Sequence, residues 1–149
     1  MEFSTASAWG VSYEVDKLTK SHDFVIIDTP PKIDSDLKPA IRESDLVIVP
    51  VSASHVDVWA TEGVLDLAGR EKARIMVVMN RAKSGARVTK DVDAALVKMG
   101  VTRAETVLGS RVAYADTLGA GKGVLERAKG VWTDEMGRLT DEVLSQIAD

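Results

Sequence analysis

Asp23–Pro31 reads D-F-V-I-I-D-T-P-P, and the fold turns on how it is read. Phe24–Asp28 is a continuous apolar run that ends in a carboxylate. Its β-branched content and lack of alternation match a strand buried on both faces of a parallel sheet. Thr29-Pro30-Pro31 then forms a stiff turn, because each proline fixes its own φ and restricts the residue before it. A carboxylate at the carboxyl end of such a strand lies where open α/β sheets bind ligands. It suits Mg²⁺, a hard cation that keeps several waters and takes one or two carboxylates. The plainer alternative is that Asp28 caps the loop that follows.

Two further runs have the same character, Leu46–Val51 (L-V-I-V-P-V) and Ile75–Asn80 (I-M-V-V-M-N), with a weaker fourth at Glu105–Leu108. Helical spacing lies between them. Val11–Lys20 precedes the first run, and Ser35–Glu43 precedes the second, with Asp34 or Ser35 as N-cap. His55–Ala68 places Val56, Ala60, Val64 and Leu67 on one face. Thr89–Met99 begins with a cap and first-turn acids and stops at Gly100. Trp132–Ile147 repeats Met136, Leu139, Val143 and Ile147 at helical spacing. Strands alternating with helices predict an α/β domain of three layers, a mostly parallel sheet between helices.

The chain has 149 residues, enough for one domain with one core. It has no cysteine, which excludes disulfides, thiolate metal sites and a cysteine nucleophile and suits a cytoplasmic protein. His22 and His55 lack metal-ligand spacing and read as surface or loop residues. No apolar run approaches the ~20 residues of a membrane helix, so no membrane partner is expected. The net charge of −4 is unevenly spread. Residues 1–69 carry 5 basic and 12 acidic side chains, residues 70–129 carry 13 and 6, and residues 130–149 carry 1 and 5. A middle block this basic fits a polyanion such as DNA or a set of solvated helix faces, and both readings stay open.

H-D-F-V-I-I-D-T-P-P, S-D-L-V-I-V-P-V-S-A-S-H-V-D-V-W-A-T-E-G, I-M-V-V-M-N-R and G-S-R-V-A-Y-A-D-T-L-G-A-G-K-G-V occur in this order. Together they resemble the small ParA partition ATPases of the ParF type, deviant-Walker relatives of MinD. The resemblance runs from about Phe3 to the C-terminus and implies a P-loop NTPase-like fold with ATP and Mg²⁺ as cofactors. It makes Asp28 the Walker B acid, holding Mg²⁺ through water, and Thr29, Pro30 and Pro31 the second switch. Asn80 would contact the adenine edge and Arg81 would stack on the base or face solvent; Asn80 also reads as a turn residue ending a strand. Ser52–His55 stands where the family commonly carries prolines. Asp57 and Trp59 match, and Trp59 is expected to pack in the core. The resemblance further implies a homodimer or higher oligomer, non-specific DNA and a centromere-binding partition protein as partners. Arg103, Arg111, Lys122, Arg127 and Lys129 are the candidate phosphate contacts.

No K-G-G-x-G-K-[ST] string occurs in the sequence, and Ala120–Gly123 (A-G-K-G) lacks the frame of a phosphate loop. The expectation is therefore a single, N-terminally incomplete domain that begins after the phosphate loop and first switch. Triphosphate binding would be weakened, and autonomous ATP hydrolysis is not expected. A missing strand beside Asp23–Asp28 would leave an apolar edge inviting self-association. A truncated, non-catalytic interaction module is the alternative function. A metabolic amidoligase-type relative is the weakest reading.

Overall fold

The computed structural model describes residues 2–30 and 37–148, Ala8 by its backbone alone. The residues form two compact units, Met1–Val47 with Gly63–Arg74 and Ile48–Glu62 with Ile75–Asp149. The architecture is α/β: a small parallel two-stranded sheet with helices before, between and after its strands.

In the first unit a 3₁₀ turn, Ala8–Gly10, leads into helix α1, Val11–Leu18. Helix α2, Leu37–Arg42, follows and buries Leu37, Ala40 and Ile41. The Ser12 hydroxyl donates to Glu43 at 2.6 Å, and the Arg42 guanidinium donates to Glu71 at 2.5 Å. The Arg42 bond is the main reason the Glu71 carboxyl titrates below the usual range. Asp34, Ser35 and Pro31 lie outside the described residues.

Strand β1 spans Val47–Ser52, helix α3 His55–Arg70 and strand β2 Ile75–Asn80; β2 and nearly all of β1 fall in the second unit, while α3 is divided, with residues 55–62 in the second unit and 63–70 in the first. β2 buries Met76 through Met79 without interruption, as a strand covered on both faces does. β1 instead alternates, with Val49 and Val51 buried and Ile48 and Pro50 exposed. Its outer position explains both this alternation and the tolerance of a proline, which gives no N–H to a ladder. Helix α4, Arg87–Lys98, buries Val92 and Leu96. Gly100 ends it at φ +67°, a left-handed conformation that favours glycine. Helix α5, Val112–Gly119, a 3₁₀ turn at Val124–Glu126 and helix α6, Val131–Ala148, complete the chain.

Several sequence expectations are corrected. Phe24–Asp28 has no regular secondary structure and joins no ladder among the described residues. Half-buried Val25 and Ile27 alternate with exposed Phe24 and Ile26, the two-residue period of extended chain. A strand is defined by its hydrogen-bonded neighbour, and here no neighbour pairs with the run. Glu105–Leu108 is likewise no regular strand. The segment around it forms isolated parallel bridges, Arg103 with Val77 in β2 and Gly109 with Ala82 just beyond it. α4 starts at Arg87 rather than Thr89, because the Thr89 hydroxyl donates to the Lys83 carbonyl instead of capping. On α3 the buried positions are Val58, Thr61, Leu67 and Ala68, while Val56 and Ala60 are exposed. Trp59 is 69% exposed, so the expectation of core packing fails.

Candidate functional site

In the first unit Asp28 is exposed at the end of the apolar run Phe24–Ile27, followed by exposed Thr29 and Pro30. Among the described residues no cluster of three or more histidine, aspartate or glutamate side chains could hold a metal ion. Asp28 offers one carboxylate to a cation, whose shell water or ligand oxygens would complete. The surroundings are apolar and uncovered, with Ile26 92% exposed. In the same unit Trp9 is 96% exposed, and Phe3 and Tyr13 also face outward.

Asn80 and Arg81 belong to the second unit. The Asn80 side-chain oxygen accepts the Arg81 backbone N–H at 2.8 Å, and Arg81 turns at φ +51°. The chain bends at Arg81, just past the end of β2. The Asn80 amide still offers an NH₂ donor, and the exposed Arg81 side chain extends outward.

The candidate DNA contacts divide by chemistry. The Arg103 guanidinium pairs with Asp93 at 3.1 Å. Arg127 pairs with Asp116 at 3.4 Å and lies 5.4 Å from the centre of the Trp132 ring, a cation–π geometry. A Cβ on Gly130 would stand 2.6 Å from the same ring, so a side chain there would displace it. Lys122 and Lys129 are exposed and form no ion pair among the described residues. Asp116, Thr117, Ala120, Lys122, Glu126 and Arg127 line a shallow cleft of about 330 Å³. Its two carboxylates balance its two cations, so the cleft has no net positive charge, which argues against A-G-K-G as a phosphate cradle.

Arg111 is the most engaged of the five. Its Nε lies 3.1 Å from both carboxylate oxygens of Glu135, and its Nη2 donates to Oε1 at 2.5 Å. Glu135, on α6 and buried, also accepts the Tyr114 hydroxyl at 3.0 Å and the Gly109 N–H at 3.2 Å. Burial acts to raise the Glu135 pKa. The hydrogen bonds from Arg111, Gly109 and Tyr114 outweigh it, and the net shift is downward. Burial, then the bond to Glu135, pushes the Tyr114 hydroxyl up to about 12. A raised tyrosine pKa favours the neutral form in the fold, so its stabilisation holds below the ordinary value of 10.0 and is lost as pH rises through the shifted one. Absorbance titration of the parent minus Tyr114→Phe is expected to isolate a phenol ionising near pH 12; a difference centred near pH 10 would contradict the network.

Glu142, two helical turns beyond Glu135, repeats the device. It accepts the N–H groups of Glu105 at 2.7 Å and Thr106 at 2.9 Å, and also the Thr106 hydroxyl. Sequence reasoning missed both glutamates. The seven-residue spacing was the available signal, since it puts both on one helix face.

The sequence matches the AAA domain family over residues 4–82, a span that contains Asp28, Thr29, Pro30, Asn80 and Arg81. One similar protein is the "Maintenance of carboxysome distribution protein A" of Halothiobacillus neapolitanus (strain ATCC 23641 / c2). It is 25% identical over 133 residues, covering 83% of this chain and 61% of the relative. The chain therefore spans less than two thirds of that relative's length.

Proposed function

The chain belongs to the AAA domain family, and on that premise we propose that it is a ParA-like positioning ATPase that uses Mg²⁺ and ATP and tracks on DNA. The observation that carries the reading is Asp28-Thr29-Pro30: an exposed carboxylate ending an apolar run within the matched span. Its chemistry fits a water-bearing Mg²⁺ held by one carboxylate. Bound Mg²⁺ would neutralise charge on the phosphate oxygens. Asp28 would orient the hydrated ion, and Thr29, Pro30 and Pro31 would respond to the third phosphate as a switch. The Asn80 NH₂ would meet the base edge, with Arg81 beside it. None of the described residues is assigned to the triphosphate itself.

Non-specific DNA is the proposed track and a second copy of the chain the proposed partner. A cargo-bound protein would occupy the place of the centromere-binding partner, an idea supported by the name of the carboxysome-distribution relative. Lys122 and Lys129 are the foremost phosphate contacts, because Arg103, Arg111 and Arg127 already hold carboxylates. Each phosphate contact contributes about 0.9 to the slope of log K against log salt. Lys122→Gln/Lys129→Gln is expected to lower that slope by about 2 in a mobility-shift titration. An unchanged slope would remove both lysines from the interface. The exposed Trp9, Tyr13, Phe24 and Ile26 favour a second reading, an interaction module without catalysis. That reading predicts binding of a protein partner with no dependence on Asp28.

A further inference from the structure

The segment from Thr102 to Ser110 uses its backbone in two directions. Toward β2, the N–H groups of Ala104, Leu108 and Ser110 donate to Val77, Met79 and Ala82. The intervening donors of Glu105 and Gly109 do not go to a strand. They go to the carboxylates of Glu142 and Glu135 on α6, which also take the Thr106 N–H. In an ordinary sheet a further strand would accept those outward donors, and an edge left bare recruits one. Here two side chains stand in its place.

We propose that α6 is an edge guard, its Glu135 and Glu142 carboxylates occupying the donors of residues 105–109 and so preventing this edge from pairing with the same edge of a second copy. The second copy is the fitting occupant because the edge is self-complementary. Antiparallel pairing about Val107 sets residue 105 of one chain opposite residue 109 of the other. The two donors guarded by Glu142 and Glu135 would then meet each other's carbonyls, the reciprocal exchange of a hydrogen-bonded antiparallel pair. Val107 is partly exposed and would lie against its own counterpart at the two-fold centre. The segment contains no proline to interrupt pairing. This contact is separate from any nucleotide-dependent association.

Light scattering over a concentration series, paired with amide exchange at residues 105, 106 and 109, tests the proposal. The parent is expected to protect these amides at every concentration. Glu142→Ala, which leaves the Glu135 network intact, is expected to speed exchange at 105 and 106 at least tenfold in dilute solution. Glu135→Ala/Glu142→Ala is expected to rise toward the mass of two chains as concentration increases, with the amides of residues 105 and 109 regaining protection. Val107→Lys in that background places like charges at the two-fold centre and is expected to restore the parent's mass. Should the double variant lose its circular-dichroism signature, the mass of Glu142→Ala decides in the same way. Unchanged exchange at 105 and 106 in Glu142→Ala would overturn the proposal. So would folded variants that match the parent's mass throughout, or mass gain that Val107→Lys does not reverse.

Discussion

Glu135→Ala is expected to lower the unfolding free energy by about 2 kcal/mol, because it removes one buried carboxylate that joins three donors. The substitution leaves the Arg111 guanidinium and the Gly109 N–H without this acceptor, while the Tyr114 hydroxyl keeps the Trp132 carbonyl at 3.5 Å. Unsatisfied buried donors carry a desolvation cost of ~1–3 kcal/mol each, much relieved here because Arg111 reaches solvent and Tyr114 and Gly109 are only half-buried. In a chain of this size the loss corresponds to a fall in Tm of roughly 4–8 °C. Glu135→Gln keeps one carbonyl oxygen and is expected to fall between parent and alanine variant. The pH dependence has a definite sign. The folded-state pKa of Glu135 is depressed, so its contribution is present above the unfolded value of 4.5 and is lost as pH falls through the lower folded value. Urea unfolding at neutral and acidic pH checks this. A neutral-pH loss below about 1 kcal/mol would show that the network does not hold α6 in place.

Leu96→Ala is the second large effect, expected to cost about 2–5 kcal/mol. Leu96 is 1% exposed and lies on α4 with fully buried Val92, in the unit that also buries Val51, Val77 and Val78. Truncation removes apolar contacts and leaves a cavity that a crossover helix anchored at both ends closes poorly. Val97, the next residue, is mostly exposed, so Val97→Ala is expected to stay within about 0.5 kcal/mol of the parent. Equal losses at the two positions would contradict the assigned helix face.

The contrast between Leu96 and Phe24 shows what the chain made legible. Ile75–Asn80 and Leu46–Val51 predicted strands, and β2 and β1 lie there within a residue. Gly100 predicted the end of α4, because a left-handed residue stops a helix whatever surrounds it. Phe24–Asp28 carries an equally strong apolar run, yet it pairs with no strand among the described residues. Composition reports a preference for burial; pairing depends on which segment arrives alongside. α5 escaped notice because its buried residues are only Ala113 and Thr117, too small to give a clear periodic stripe.

Asp28, Thr29 and Asn80 are expected from the ends of apolar runs, while the bond that Asn80 makes to the Arg81 N–H is not encoded there. The arginines were chosen as a basic block. Their partners Asp93, Asp116 and Glu135 are 10, 11 and 24 residues away, separations that no local pattern encodes. Nor does sequence reveal that Glu135 and Glu142 bind backbone N–H groups, since those donors become available only once residues 102–110 lie against β2.

Calorimetric titration of ATP into the protein and into Asp28→Ala, each with and without Mg²⁺, tests the central claim most directly. The account predicts ATP binding that requires Mg²⁺ and weakens at least tenfold, about 1.4 kcal/mol, when Asp28 is replaced. Identical isotherms for parent and variant, or ATP binding indifferent to Mg²⁺, would contradict it.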